Sequence, residues 1–179
     1  RNSFSLFAAL GNEGPFADEL KKHNVDVTVY KLPDYFRQLD RDPQNKSKPL
    51  DFLKSAVCLS DYTKKIKKII TEKNIDTVYI NSIKSLLYAA GAAKSAKRKI
   101  VWHLHDCLSR DFYPPWAIPL IIFQSHMVDY IICVSHTVKD YFIKVGGNEK
   151  KALVIYNGVD TERFNPCISS EFIKKQLNI

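Results

Sequence analysis

The densest cluster of side chains able to do chemistry is the stretch Trp102-His103-Leu104-His105-Asp106. Residues two apart on a β-strand point to the same face, so His103 and His105 would share one side of a strand. Such a pair occurs in metal sites, but a metal needs further Asp, Glu or His ligands, and Cys107 is the only nearby addition. The alternative is that His103 is a buried, hydrogen-bonded histidine while His105 and Asp106 reach a cleft. There an imidazole can bind a hydroxyl group or move a proton.

Three more groups of polar residues follow short apolar segments that have the length of strands. They are Asn81 with Ser82, Ser135, and the turn from Asn157 to Asp160. In an open parallel sheet, ligands bind outside the carboxyl ends of the strands, so these side chains are candidates to hold hydroxyls or phosphates. Asn, Ser and Asp also cap helices for local reasons, and the position of Ser135 before a helical pattern predicts a cap without any ligand.

Strands and helices must alternate along the chain to place these groups at one edge of a sheet. The strand-like runs are short and apolar, whereas the helical segments carry apolar residues at three- and four-residue spacings. The predicted strands are Ser3–Leu10, Val25–Leu32, Ile75–Ile80, Ile100–Leu104, Tyr130–Val134 and Ala152–Tyr156. The predicted helices are Pro15–Lys22, Asp51–Lys73, Ile83–Lys97, Ala117–Met127 and Thr137–Val145.

This alternation predicts an α/β fold in which helices cover a parallel sheet. Because crossovers between parallel strands are right-handed, we expect a Rossmann-like, doubly wound arrangement. A chain of 179 residues suits one domain and buries enough surface to fold without a disulfide or a metal. Loops at the rim of such a sheet carry recognition, so Pro33–Pro49 and Ser109–Ile118 are the expected specificity elements.

Composition excludes several classes of protein. Hydrophobic residues make up 45% and charged residues 26% of the chain, which is ordinary for a globular domain and too apolar for disorder. The longest apolar run, Phe112–Phe123, contains prolines and is shorter than the roughly 20 residues of a membrane-spanning helix. The cysteines are scattered without regular spacing. We therefore expect reduced thiols, a cytoplasmic protein and no signal peptide in the first residues.

The charge balance bears on the partners of the protein. Lys and Arg number 27 against 19 Asp and Glu, and the net charge of +8 suits phosphates, anionic lipid or nucleic acid. The basic stretches are not interleaved with stacking aromatic residues, so we expect no nucleic-acid groove. Peripheral contact with an acidic membrane stays an alternative. Its candidate residues, expected to be exposed, are Lys64, Lys65, Lys67, Lys68, Trp116, Ile118, Leu120 and Ile121.

The segment Val154–Pro166, with the sequence VIYNGVDTERFNP, resembles the retaining glycosyltransferases of family 4, which have the GT-B fold. That family carries a strand followed by N-G-V-D-x-x-x-F-x-P where its two domains join. The matching residues are Asn157, Gly158, Val159, Asp160, Phe164 and Pro166. Upstream, the stretches that look like the same family are Gly14–Leu20, Asp76–Ser82, Val101–Asp106 and Ile131–Ser135.

The resemblance implies a division of the chain. Residues 1–160 would form the N-terminal, acceptor-side domain of a GT-B enzyme, and residues 161–179 an interdomain linker with the start of a donor-binding domain. In the family, a first strand with a glycine-rich loop precedes the position of Ser3, and the donor-binding domain follows the position of Ile179. We therefore expect the 179-residue chain alone to transfer no sugar.

The resemblance also implies roles for single residues. His105 matches the family's histidine that faces the acceptor cleft, and with its neighbour Asp106 it is assigned to catalysis. The residues assigned to acceptor binding are Asn81, Ser82 and Ser135. Those assigned to the interdomain hinge are Asn157, Gly158 and Asp160.

The implied activity is transfer of a sugar from a nucleotide-sugar donor to a hydroxyl of a glycan or glycolipid, with retention. No cofactor and no obligatory metal is implied, and the enzyme would act in the cytoplasm or on the inner face of a membrane. Two alternatives remain open. One is a nucleotide-sugar epimerase of the same architecture, and the other is a non-catalytic carbohydrate- or lipid-binding module.

Overall fold

The computed structural model describes residues 4–31, 49–113, 116–164 and 169–178, and for residues 49–58 it describes the backbone alone. Of the two expected specificity elements, residues 32–48 and 114–115 lie outside this description. Hypotheses about the loop Pro33–Pro49 therefore stay predictions.

Strands and helices alternate through the described part of the chain. The strands are β1 Phe7–Leu10, β2 Asp26–Val29, β3 Thr77–Ile80, β4 Lys99–Leu104, β5 Tyr130–Cys133 and β6 Ala152–Val154. The helices are α1 Pro15–Lys22, α2 Pro49–Glu72, α3 Ile83–Ser95, α4 Ala117–Ser125, α5 His136–Lys144 and α6 Glu171–Leu177. Every element predicted from the sequence is present, with its ends shifted by a few residues, and α6 is an addition.

All strand pairs are parallel, as predicted, but the described strands form two sheets instead of one. β1 pairs with β2, and a separate sheet has the order β3-β4-β5-β6. Because this second order follows the chain, right-handed crossovers place α3, α4 and α5 on one of its faces. Strand β4 alternates accordingly, with Ile100, Trp102 and Leu104 buried and His103 only half-buried.

The core lies between the four-stranded sheet and the helices on that face. The Trp102 indole is completely buried and meets the Phe142 ring of α5 edge-on, with 6.2 Å between ring centroids. The opposite face is more open, since Tyr79 of β3 and Tyr130 of β5 are 54% and 55% exposed. The two faces of the sheet therefore differ: one is packed, and the other presents side chains to solvent.

Helix α2 is amphipathic, as its spacing predicts. Its described apolar residues Tyr62, Ile66, Ile69 and Ile70 are buried, and the Tyr62 hydroxyl donates to the backbone oxygen of Tyr30. On the other face Lys64, Lys65, Lys67 and Lys68 are exposed. These four lysines are called the α2 lysine face below.

The packing of helix α4 contradicts part of the expected membrane-contact surface. Ile118 and Ile121 were expected to be exposed, but they are 6% and 2% exposed and belong to the core. The reason is helical spacing, because residues three apart lie on one face of a helix and here that face belongs to the core. Trp116 is 46% exposed, as expected, and Leu120 is half-buried, while Phe123, which was not among the expected residues, is 69% exposed.

Two described cysteines, Cys107 and Cys133, are free thiols. Cys133 is completely buried at the end of β5, and burial raises the pKa of its thiol to about 11. Among the described helices, none combines the length and the apolar character that crossing a membrane would need.

Candidate functional site

Two of the residues assigned to the site meet directly. Asn81 follows β3 and His105 follows β4, and the His105 Nε2 lies 2.9 Å from the Asn81 Oδ1. An amide oxygen only accepts hydrogen bonds, so Nε2 carries the hydrogen and donates it. In the neutral ring, Nδ1 is then left as an acceptor. The carboxyl ends of these adjacent parallel strands share one edge of the sheet, and the register of β3 and β4 brings the two side chains together there.

A second pair of side chains, Tyr79 and His103, lies two residues earlier on the same strands and on the same face of the sheet. The Tyr79 hydroxyl is 2.7 Å from the His103 Nδ1, and the ring centroids of these residues are 5.8 Å apart. The His103 and His105 rings are also in contact, with centroids 4.1 Å apart and planes 43° from each other. Tyr79, Asn81, His103 and His105 therefore form one continuous polar cluster, called the strand-end ladder below.

Tyr79 is not among the residues assigned to this site from the sequence. The available signal was the two-residue alternation of strands, because Tyr79 lies on the same face as Asn81 just as His103 lies on the same face as His105. In β3 and β4, Tyr79 is opposite Val101, so His103 is its diagonal neighbour. Aromatic side chains reach such diagonal neighbours.

The pKa shifts of His103 and Tyr79 both favour the uncharged forms of these two side chains. Burial lowers the pKa of the His103 imidazole, and the nearby charge of protonated His105 lowers it further. Burial also raises the pKa of the Tyr79 phenol, so its hydroxyl keeps its proton. The His103 Nε2 is buried and has no hydrogen-bond partner among the described residues. His103 therefore has a hydrogen-bond partner at Nδ1 and none among the described residues at Nε2. This differs from the alternative considered from the sequence, in which His103 is buried with all its hydrogen bonds made.

Ser82 is the N-cap of α3 and belongs to a short chain of hydroxyls. Its Oγ accepts from the Ser85 backbone nitrogen at 3.0 Å and lies 2.7 Å from the Ser85 Oγ. The Tyr88 hydroxyl in turn donates to the Ser85 Oγ at 3.3 Å. The Ser82 side chain is exposed beside Asn81. Capping accounts for its position without any ligand, and its assignment to acceptor binding stays a prediction.

Ser135 also has the geometry of a helix cap. Its Oγ accepts from the Val138 backbone nitrogen at 3.2 Å at the start of α5. A cap of this kind uses a lone pair and leaves the hydroxyl proton available to a ligand, so both hypotheses made from the sequence are compatible with the contact. Asp106, the second residue assigned to catalysis, is half-buried directly after His105.

The turn assigned to the hinge is held by Asp160. Its Oδ1 accepts from the backbone nitrogens of Glu162 at 3.1 Å and Arg163 at 3.0 Å. Asn157 and Gly158 are exposed, and a Cβ added at Gly158 would meet no atom within 4 Å. Asp160 therefore has a local structural role here, whereas Gly158 has no steric one within the described residues.

In its described residues, this region does not bring together the side chains that a metal ion would need. Across the described ranges, no group of three or more His, Cys, Asp or Glu side chains is arranged to hold a metal ion. The strand-end ladder instead offers hydrogen-bonding groups of opposite kinds next to one another. Such an arrangement can bind and orient a hydroxyl group.

A family model named Glycosyltransferase Family 4 matches residues 16–163. The chain belongs to glycosyltransferase family 4. The matched region spans more than half of the chain and includes all the residues assigned to catalysis, acceptor binding and the hinge. The family predicted from the segment Val154–Pro166 is therefore confirmed. No curated protein sequence matches the chain.

Solved structures agree with this family on the level of the fold. Anabaena Alr3699/HepE in complex with UDP-glucose is 24% identical, with a TM-score of 0.67 over 96% of this chain and 42% of its own. The UDP-N-acetylglucosamine 2-epimerase from Rickettsia bellii is 16% identical, with a TM-score of 0.52 over 97% of this chain and 51% of its own. The predicted class, a Rossmann-like α/β fold of the GT-B type, is confirmed. This chain spans less than half the length of HepE.

Proposed function

We propose that the chain is the acceptor-side domain of a retaining glycosyltransferase, which moves a hexose from a nucleotide-sugar donor to a hydroxyl of a glycan or glycolipid. The observation that carries this proposal is the family match over residues 16–163. The HepE structures contain UDP-glucose or UDP, with glucose in one of them, and this supports a UDP-hexose as the first donor to test.

The acceptor hydroxyl would bind at His105. With Nε2 committed to Asn81, the Nδ1 of a neutral His105 accepts the hydrogen of that hydroxyl and orients its oxygen for attack on the sugar. Asp106, Ser82 and Ser135 lie at the ends of the same sheet and would contact further polar groups of the acceptor. No cofactor or metal is needed for this part of the reaction. Stabilisation of the departing diphosphate would come from the donor-binding domain.

The proposed roles of the two domains follow the boundary predicted from the sequence, between residues 160 and 161. Residues 1–160 would bind the acceptor, with Asn157, Gly158 and Asp160 at the hinge, and residues 161–179 would lead into the donor-binding domain. Support comes from the coverage, since this chain spans 42% of HepE. Helix α6 also leaves Phe172, Ile173 and Leu177 exposed at 77%, 57% and 61%, apolar surface suited to packing against further protein.

A glycolipid acceptor would place the protein against the cytoplasmic face of a membrane. Two described surfaces support such contact: the α2 lysine face, and the side of α4 that exposes Trp116 and Phe123. Aromatic residues insert at the headgroup level of a bilayer, and lysines are attracted to anionic lipids. The helices that carry them are linked through α3, which packs against both α2 and α4.

The experiment compares the 179-residue chain with a longer protein in which a donor-binding domain follows it. Both are incubated with UDP-hexoses and a panel of glycan and glycolipid acceptors, and products are detected by mass spectrometry. We expect transfer by the longer protein alone, with NMR showing the donor's anomeric configuration kept in the product. Turnover by the chain alone would overturn the two-domain proposal.

Two other outcomes would favour the alternative functions. Conversion of the UDP-sugar to a second UDP-sugar without any acceptor would identify an epimerase. Saturable binding of glycans or lipids by the longer protein, with no donor binding in calorimetry, would identify a non-catalytic module.

A further inference from the structure

We propose that Tyr79 and His103 are positioning residues for His105: the Tyr79 hydroxyl sets the tautomer of His103, and the His103 ring holds the His105 imidazole with its Nε2 on Asn81 and its Nδ1 left to accept a hydrogen bond. The role of this Nδ1 in binding a sugar acceptor rests on the proposed function. Control of the tautomers does not, because it concerns contacts within the strand-end ladder alone.

The Tyr79 hydroxyl lies 2.7 Å from the His103 Nδ1. A phenol is a stronger acid than a neutral imidazole N–H, and an imidazole nitrogen is a better acceptor than a phenol oxygen. The Tyr79 hydroxyl therefore donates to the His103 Nδ1, which leaves the hydrogen of the neutral ring on Nε2. Partial desolvation raises the pKa of the Tyr79 phenol and lowers the pKa of the His103 imidazole, and both shifts favour this direction.

The two imidazoles are also in contact with each other. With 4.1 Å between ring centroids, the His103 ring lies against one side of His105 and restricts its rotation. The Asn81 oxygen holds the His105 Nε2 in place, since it accepts a hydrogen bond from this atom at 2.9 Å. Because the His105 ring is held both at its face and at Nε2, its Nδ1 keeps a constant orientation. This is the preorganisation that a hydroxyl acceptor site requires.

The charge of the two imidazoles affects these contacts. The groups that face His103 are Tyr79 on β3, His105 on β4, and on β5 the apolar Ile132 in register with it and Tyr130 at the diagonal position. Protonation of either imidazole would place a cation against its neighbour. Protonation of His105 would also turn Nδ1 from an acceptor into a donor, which cannot bind the hydrogen of a hydroxyl.

The test measures ring nitrogens by long-range ¹H–¹⁵N NMR on the 179-residue chain, with ¹⁵N-labelled histidine at mildly alkaline pH. We expect the Nε2 atoms of His103 and His105 to be protonated and their Nδ1 atoms to be bare. In Tyr79→Phe, the His103 tautomer ratio should shift about fivefold towards Nδ1–H, the effect of one ordinary hydrogen bond. In His103→Ala, which removes the ring that lies against His105, the His105 tautomer ratio and chemical shifts should approach those of a freely rotating histidine.

Tyr130→Phe is the matched control. Tyr130 is 55% exposed against 54% for Tyr79, and both flank Val101 in the same row of the sheet, but no hydrogen bond or ring contact joins Tyr130 to a described histidine. Unchanged tautomer ratios for both histidines in Tyr79→Phe would overturn the proposal. Should His103→Ala fail to fold, Tyr79→Phe carries the test alone, since it removes one hydroxyl from an exposed side chain.

A second measurement links positioning to the proposed reaction. In the longer enzyme, Tyr79→Phe should raise the KM for the acceptor about fivefold and leave the KM for the donor unchanged. An equal rise in both values, or a fall in thermal midpoint with unchanged KM, would assign Tyr79 a structural role and overturn the proposal. Should the longer protein transfer no sugar at all, the proposed function fails, while the NMR result still decides whether the ladder sets the tautomers.

Discussion

His105 is an exposed side chain with one ring nitrogen bonded to Asn81 and the other able to accept a hydrogen bond. Removing it from the longer enzyme should therefore affect binding and rate more than folding. For His105→Ala we expect kcat/KM to fall roughly 5- to 150-fold, the cost of one hydrogen bond that strengthens in the transition state. The thermal midpoint should hardly change.

The matched control is His126→Ala, because His126 is also exposed but follows α4 and precedes β5, at the opposite edge of the sheet. Its loss should leave kcat/KM unchanged. A His105→Ala variant with full activity and a lowered thermal midpoint would instead mean that His105 packs and does not bind.

Asp129 links two strands through its carboxylate. It accepts from the Ile100 backbone nitrogen at 2.8 Å, and Lys99 lies 3.6 Å away. The Ile100 hydrogen bond lowers the pKa of Asp129 most, and the charges of Lys99 and Lys94 add to this, while burial acts against it. The unfolded chain then binds the proton more readily than the folded one. The stabilisation is therefore present above the ordinary pKa of 3.8 and is lost as the pH falls through the lower folded value.

Thermal midpoints of the wild type and Asp129→Asn across this pH range check that sign. At neutral pH the wild type should melt at a higher temperature, and the difference should shrink once the pH falls below 3.8. A difference that stays constant with pH would assign the effect to hydrogen-bond geometry and not to the carboxylate charge.

At the residue scale, the sequence placed Asn81 and His105 at one edge of the sheet because both follow strands. It predicted neither the bond between these two side chains nor the bond from Tyr79 to His103. Both bonds depend on the register in which Tyr79 lies opposite Val101, and register is decided by packing across the whole sheet. The caps at Ser82 and Ser135 needed no such information, because a cap is a contact within four residues.

On the scale of single elements, the end of α5 has the least tolerance for added volume. The backbone nitrogen of Gly146 donates to Ile143 and that of Gly147 to Phe142, and Gly146 has a left-handed φ of 102°. A Cβ at Gly147 would lie 2.4 Å from the Phe142 ring, which is completely buried against Trp102. The glycine therefore allows the chain to cross a core side chain at close range.

Gly147→Ala should lower the free energy of unfolding by about 1–3 kcal/mol, because the Phe142 ring must move within a packed core. Urea unfolding measures this difference. Gly158→Ala is the control, since its Cβ would meet no atom within 4 Å. Equal effects of the two substitutions would contradict the steric explanation.

Elements with clear periodicity were predicted with their ends within a few residues of those observed. Pro15 at the start of α1 and the alternation of β4 are local signals that tertiary packing reinforces. The orientation of α4 was predicted wrongly for Ile118 and Ile121, because its short sequence is apolar all round and has no polar face to indicate which side is buried. The chain around α6 gave no periodic signal long enough to predict a helix.

On the scale of the whole molecule, the basic and aromatic surfaces of α2 and α4 predict binding to acidic vesicles. In sedimentation at low salt, we expect more protein on phosphatidylserine vesicles than on phosphatidylcholine vesicles. Replacing the α2 lysine face (Lys64, Lys65, Lys67 and Lys68) by Gln should remove most of this difference, because each lysine near an anionic surface contributes about 1 kcal/mol.

The control carries the same change of charge elsewhere, at the exposed Lys144, Lys150, Lys174 and Lys175. Its binding should stay close to that of the wild type. Equal losses in the two quadruple variants would mean that net charge alone attracts the protein, and equal binding to both kinds of vesicle would contradict membrane contact altogether.

The completely buried thiol of Cys133 can report how often the native structure opens. Its pKa of about 11 leaves almost no thiolate at neutral pH, so an alkylating reagent can modify it only when the end of β5 opens. In a variant that keeps Cys133 as its single cysteine, the labelling rate therefore counts opening events of the native state. Any molecule that binds the closed form slows this labelling in proportion to its occupancy. Donors and acceptors could thus be ranked by alkylation half-life before any product of the enzyme has been seen.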